Sequence, residues 1–445
     1  MPEQKQFLAG FGLADITPED SVPMASYGDD LRRFSQGVVA PLQARAIALT
    51  DENGDSLLLL TGDLSWGSNH LGTPLKARIE AELGVPGDHV MVSGIHTHDS
   101  VSAGHDHLPE VVRYQQRYIS GMFEAAKAAL ADRKPARLYV GSAITERMNF
   151  VRRYIMDDGS LIGDNAYGTG TVISGHETAA DPELQLMRIV REGGKDILVS
   201  NFQAHPHLEG KKSLLSPQAI GAFRDEVEAR LGFHSLHWNG AAGNINTHSR
   251  IEIETRTTDQ KEWARIMADY AEKALLRLTE VQTGPIRVAS VTVEAQINHF
   301  NDHLVPDAEK IVRYFKDGHS ASETARYAWQ FGIHSYYHAD RIISNSKAGK
   351  SKEMMLQAFS FGDVGFAAAP YEMFDTSGVF IKENSPFKMT IVAELANGGN
   401  GYFPSQFAFD VSGGYECDTT KYVPGTAERL ADQYVEMLTQ QFNNK

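Results

Sequence analysis

Residues 90–98 read VMVSGIHTH and residues 197–207 read ILVSNFQAHPH. Each is an apolar, β-branched run of strand length that leads directly into a His-x-His pair. In an extended strand, positions i and i+2 project to the same face, so His96 with His98, and His205 with His207, can each present two imidazoles in one direction. Seven more runs of this kind occur, starting at Ala44 (ARAIALT), Ser56 (SLLLLTGDL), Ala136 (ARLYVGSAI), Ile286 (IRVASVTVEAQI), Glu353 (EMMLQAFSF), Val364 (VGFAAAP) and Lys388 (KMTIVAEL). Between them lie segments with helical spacing: 73–83, 109–133, 217–231, 259–278, 307–331 and 425–442. This alternation predicts an α/β fold. No low-complexity linker divides the chain, so residues 1–445 are expected to form one unit. The charged stretch 254–282 reads as a solvated helix face.

Composition narrows the functions. Acidic residues outnumber basic ones 57 to 42, for a formal charge of −15, the wrong sign for phosphate-backbone binding, and nucleic acid is excluded as an expected partner. Cys417 is the single cysteine, so a metal would have to be held by imidazole, carboxylate or phenol oxygen. No run approaches a membrane span, and the N-terminus lacks a basic region followed by an apolar core; a cytoplasmic protein is expected.

The seventeen histidines are unevenly placed. His96, His98 and His205 stand at the carboxyl ends of buried-type strands, where α/β proteins concentrate metal and catalytic groups. His105 and His107 read as a solvated loop that could also line a pocket or bind a second metal. His299, His303, His319, His334 and His338 read as ordinary polar residues at element ends.

Several motifs occur in an order that resembles the neutral, non-lysosomal ceramidase family along nearly the whole chain: GLADITP (12–18), GIHTHDS (94–100), NFVRRY (149–154), DPELQLMRI (181–189), NFQAHPH (201–207), LSPQAIG (215–221), NGAAGNIN (239–246), PYEMF (370–374) and NGGNGYFPSQFAFDVSGGYE (397–416). The resemblance implies a large catalytic α/β domain with mixed sheets flanked by helices, and a zinc ion. Carried over position by position, its ligands are His96, His205, Glu372 and Tyr402. Two imidazoles, a carboxylate and a phenol oxygen suit Zn²⁺ and leave room for water. Glu372 also reads as a helix N-terminal carboxylate and Tyr402 as a buried aromatic. His98, with Tyr402, would handle protons or bind a developing oxyanion. Arg152 and Arg153 read either as ion pairs with Asp157 and Asp158 or as a fork for substrate oxygens.

Departures from the family pattern bear on the substrate. Asn244 and Asn246 stand where ceramidases have an Asp and a Ser, Gln218 stands for an Asp, His207 for a Thr, and Gly399 for a second tyrosine. His207, Asn244 and Asn246 are expected to contact substrate. These polar exchanges, with the acidic charge, favour a compact polar substrate over a two-tailed lipid. The family also carries an immunoglobulin-like β-sandwich after its catalytic domain, whereas the 29 residues after Glu416 end in a helical pattern; the expectation is the catalytic domain alone, with self-association open. The leading expectation is a zinc-dependent hydrolase of an amide or related acyl bond. The alternative is a zinc-dependent lyase acting on an acidic sugar or oligosaccharide by Tyr- or His-assisted elimination.

Overall fold

All nine apolar runs form strands. The computed structural model describes residues 6–27, 33–67, 69–159, 161–163, 172–209, 212–251, 259–411 and 413–444. In chain order the main strands are β1 (Leu8–Asp15), β2 (Gln43–Thr50), β3 (Ser56–Gly62), β4 (Val90–Gly94), β5 (Lys134–Ile144), β6 (Glu183–Arg191), β7 (Ile197–Phe202), β8 (His234–Asn239), β9 (Ile286–Gln296), β10 (Ser351–Phe361), β11 (Val364–Ala368) and β12 (Met389–Ala393). The first eight pair in the order β8-β7-β6-β5-β1-β2-β3-β4, and the last four form a second sheet in sequence order.

The helices are α1 (Asn69–Leu83), α2 (Pro109–Ala131), α3 (Gln218–Leu231), α4 (Gln260–Leu275), α5 (Val305–Lys316), α6 (Ala321–Trp329), α7 (Tyr336–Ser346), α8 (Asp375–Asn384) and α9 (Thr426–Asn443), with short ones at Gln406–Val411 and Tyr415–Thr419. Both sheets are mixed. Three neighbouring pairs are parallel: β3 with β4, β7 with β8, and β11 with β12. Parallel neighbours need a crossover, and α1, α3 and α8 supply the three. This arrangement places the site, because the carboxyl ends of β4, β7, β8, β11 and β12 all feed loops that reach it.

One hydrophobic core joins the two sheets. Ile47, Leu59, Met91, Leu138, Val199 and Trp238 from the first meet Phe359, Phe366 and Ile391 from the second. The Trp238 and Phe366 rings meet edge to face at 5.2 Å, and deleting such a ring costs about 3–5 kcal/mol. On the outer face α2 lies hard against β1: a Cβ at Gly12 would fall 2.0 Å from the Ala125 carbonyl oxygen, so glycine there is a packing requirement.

The helical segments follow the expected spacing with two differences. The single segment 307–331 is two helices. Gly318 takes φ 104° after α5, and the Ser320 hydroxyl with Glu323 builds a capping box that starts α6 afresh. Helices α7 and α8 were not expected; α8 has only a weak apolar stripe. Helices α5–α7 lie between β9 and β10 and carry their own small cluster, Ala308, Ile311, Ala328, Ile333, Ala339 and Ile342. Residues 254–258 of the charged stretch lie outside the described residues; the rest begins α4, capped by the Asp259 carboxylate accepting from the Lys261 and Glu262 amides. Among the described residues, no helix is long and apolar enough to cross a membrane.

Candidate metal centre

His96, two residues beyond β4, adopts a left-handed backbone with φ 65°. This turns the ring inward, where Nδ1 lies 2.9 Å from the Ser65 carbonyl oxygen. A carbonyl can only accept, so Nδ1 carries the proton and Nε2 presents a lone pair. His205, three residues beyond β7, is set the same way: its Nδ1 lies 2.9 Å from the Ala242 carbonyl and 3.0 Å from that of Ile245. Glu372 follows β11 on a two-residue strand paired in parallel with Tyr402–Phe403.

The three meet at one point. His96 Nε2 and His205 Nε2 each lie 3.5 Å from Glu372 Oε2, and all three atoms are buried without a hydrogen-bond partner. Two imidazole lone pairs and a carboxylate oxygen repel one another unless a cation lies between them. Tetrahedral zinc with bonds of about 2.0–2.1 Å has ligand–ligand edges of about 3.4 Å. The residues present therefore fit a zinc ion in chemistry and in spacing. Burial holds His96 down at about 4 and His205 well below the usual imidazole range, which keeps both rings in the neutral, ligating form. Burial also pushes Glu372 up to about 7, against the opposing pull of Arg152.

Tyr402 and Arg152 complete one side. The Tyr402 hydroxyl hydrogen-bonds the Glu372 carboxylate and accepts from Arg152, whose guanidinium lies 5.4 Å from the Tyr402 ring centre. Arg152 is buried; its Nε donates to Glu416 at 2.8 Å and its Nη2 to the Gly243 carbonyl at 2.9 Å. His98 closes the other side, its ring centre 5.0 Å from that of His96 and 5.5 Å from that of His205. One nitrogen from each of His96, His98 and His205 falls within 4.8 Å of the others. His207 packs beyond His98 at 4.6 Å, with Tyr27 and His248 next to it.

Other expected contacts lie elsewhere. Arg153 is not brought to the cluster; it donates to both Glu177 oxygens at 2.8 and 3.0 Å and pairs with Glu416 at 3.4 Å. Asp157 and Asp158 were the partners considered for the pair; Arg152 pairs with Glu416 at 2.8 Å. Asn244 spends both amide atoms on Asp375, donating to its carboxylate and accepting from its backbone N–H. Asn246 is fully buried and bridges His205 through its backbone. Gln218 takes φ 52° and accepts from the His98 amide at 2.9 Å, holding the His-Thr-His loop in place. His105 and His107 pack on each other at 5.8 Å and fall outside the three-histidine group.

Two supporting residues had gone unremarked. Glu394, just past β12, is fully buried and accepts from the Asn239 side chain and from the Ala242 and Met373 amides at 2.8–3.1 Å. It thereby joins the Gly-rich turn after β8 to the Glu372 strand; its signal was a lone carboxylate at the end of the apolar run MTIVAEL. Glu416 anchors both arginines, and its signal was the GGYE motif itself.

No protein-family model matches the chain, and no curated protein does either. Among solved structures, the neutral ceramidase from Pseudomonas aeruginosa superposes with a TM-score of 0.74 over 98% of this chain and 74% of that one, at 19% identity. A ceramidase complexed with C2 gives a TM-score of 0.74 over 99% and 76%, at 17% identity. The chain has the fold of the neutral ceramidases.

Proposed function

We propose that this protein is a zinc-dependent hydrolase that cleaves an amide or related acyl bond of a compact, polar substrate. The observation that carries the reading is the convergence of His96 Nε2, His205 Nε2 and Glu372 Oε2, each buried and without a hydrogen-bond partner. A zinc ion held there would lower the pKa of water toward about 7 and polarise a carbonyl. Tyr402, hydrogen-bonded to Glu372, completes the donor set. Arg152 keeps a fixed positive charge beside the cluster and is placed to stabilise an oxyanion on the substrate. His98 is the group to accept a proton from water and return it to the leaving amine; its Nδ1 is buried without a hydrogen-bond partner. The substrate class is read from Tyr27, His98, His207 and His248, imidazoles and a phenol where a lipid-binding wall would be aliphatic. The fold shared with ceramidases supports amide hydrolysis as the reaction.

An elimination reading uses the same residues, and Arg152 beside Tyr402 is the observation that favours it, as an arginine suits an acidic sugar. Product analysis separates the two. Hydrolysis in heavy-oxygen water labels the released acid, whereas elimination creates an ultraviolet-absorbing double bond. Elemental analysis comes first: purified protein should carry zinc, and His205→Ala should lose both the ion and turnover of an N-acyl substrate. Full activity in that variant would sink the reading.

A further inference from the structure

We propose a second metal site, for a divalent first-row transition metal, formed by His334, His338 and Asp418. His334 and His338 were expected to be ordinary polar groups, and none of the three residues belongs to the first cluster. His334 and His338 flank the first turn of α7, which starts where the Ser335 hydroxyl caps the His338 amide. Asp418 comes from the short helix Tyr415–Thr419 packed against α7. One ligand atom from each falls within 4.8 Å of the other two.

The hydrogen bonding leaves the cluster electron-rich. His334 Nδ1 lies 2.8 Å from Asp418 Oδ2, a single proton's worth of pairing. His338 Nδ1 accepts a long 3.3 Å bond from the His334 amide, so in the neutral ring its proton is on Nε2. That same lone pair lies 3.5 Å from Asp418 Oδ1, close to the tetrahedral edge of about 3.4 Å, so an ion there would take it in place of the long amide bond. Two imidazoles with one carboxylate select a transition metal over calcium or magnesium, which prefer all-oxygen shells. The His338 and Asp418 side chains are 8% and 11% exposed, while that of His334 is 53% exposed, which gives an ion a route in. A polar cleft beside the cluster is lined by Asn298, Asn301, Asn345 and Thr420. Arg341 also lines it, with Asp340 opposing its charge. Binding through His334 Nδ1 moves the proton of the neutral ring from Nδ1 to Nε2, so no proton is released.

The site would bolt α7 to the helix that carries Glu416, two residues from Asp418, and so to the anchor of Arg152. The test is a metal count on the full chain, stripped by chelator, reloaded with Zn²⁺ and dialysed. Wild type should hold two equivalents and His334→Ala one, with the same difference in His205→Ala, which should hold one, and in the His205→Ala/His334→Ala double variant, which should hold none. Because His334 is half-exposed, its replacement leaves the packing intact; a Zn²⁺-dependent rise in Tm that shrinks in His334→Ala gives a second readout. A wild-type count unchanged by His334→Ala overturns the proposal. So does a double variant that holds as much zinc as His205→Ala alone. A His205→Ala count that stays at two, with His334→Ala at one, would count against the first site and support this one.

Discussion

The two histidine clusters use the same side-chain chemistry on opposite kinds of support. His96 and His205 follow central strands, and a backbone carbonyl behind each ring fixes which nitrogen points inward. Exposed His334 and buried His338 sit at the start of a helix whose local core is six small and aliphatic residues. Outer carbonyls that fix the tautomer raise metal affinity, typically by 10–100-fold for each support. The strand-borne cluster is therefore the preorganised one, and the helix-borne cluster should lose its ion first under a chelator.

The widest separation between the two should come from their alanine variants. His96→Ala or His205→Ala should abolish turnover and tightly held metal together, while His334→Ala keeps turnover within a few-fold; parallel activity and metal assays check this, and equal loss from both clusters would erase the distinction. Next is the arginine pair. Arg152→Lys should lower kcat by about 10²–10³-fold, the scale for removing an oxyanion-stabilising donor, with metal content kept. Arg153→Lys should act on Tm instead, since its guanidinium serves Glu177 and Glu416; a matching kcat loss would return Arg153 to the substrate site.

A pH effect of intermediate size distinguishes the support beneath the strand-borne cluster. Burial raises Asp375 to about 6 from 3.8. The folded protein thus binds the proton more tightly than the unfolded chain. This stabilisation is fully present below about pH 4 and is lost as pH rises through 6, amounting to the order of 3 kcal/mol. Asp375→Asn keeps an oxygen for Asn244 and the Thr376 amide, and should remove that share of the pH dependence in urea unfolding at pH 5 and pH 7.5. An unchanged slope would contradict the assignment. The smallest effect is expected at the other cluster's base. Ser320→Ala deletes the capping box, costs about 1 kcal/mol, and should speed hydrogen exchange in α5–α7 but not in β4 or β7.

The strand-borne cluster was legible because burial writes itself into sequence. Runs such as VMVSG and ILVSNF announce central strands, and a polar residue just past such a run has few places to go but the site. Arg152 and Arg153, read either as ion pairs or as one fork, part company because neighbouring residues of an extended segment face opposite ways; Arg152 turns to Tyr402 and Arg153 to Glu177. Asn244 was read as a substrate contact because its partner, Asp375, lies 131 positions away on a helix with only a weak apolar stripe. The segment 307–331 read as one helix because its helical spacing runs on through Gly318, whereas the positive φ there and the Ser320 capping box end one helix and start the next. Gln218, read as a substitution at a family carboxylate, instead supports the loop through a backbone conformation no propensity reveals.

The order in which the site's pieces leave the ribosome has a consequence of its own. The Val92 amide in the middle of β4 donates to the side chain of Asn397, 305 positions later, and Tyr402 lies later still. A nascent chain therefore carries His96 and His205 long before Glu372 or Tyr402 exists, and cannot trap an ion in the finished geometry. Such long-range pairing is slow to form, so an ion held there would enter completed protein rather than seed folding.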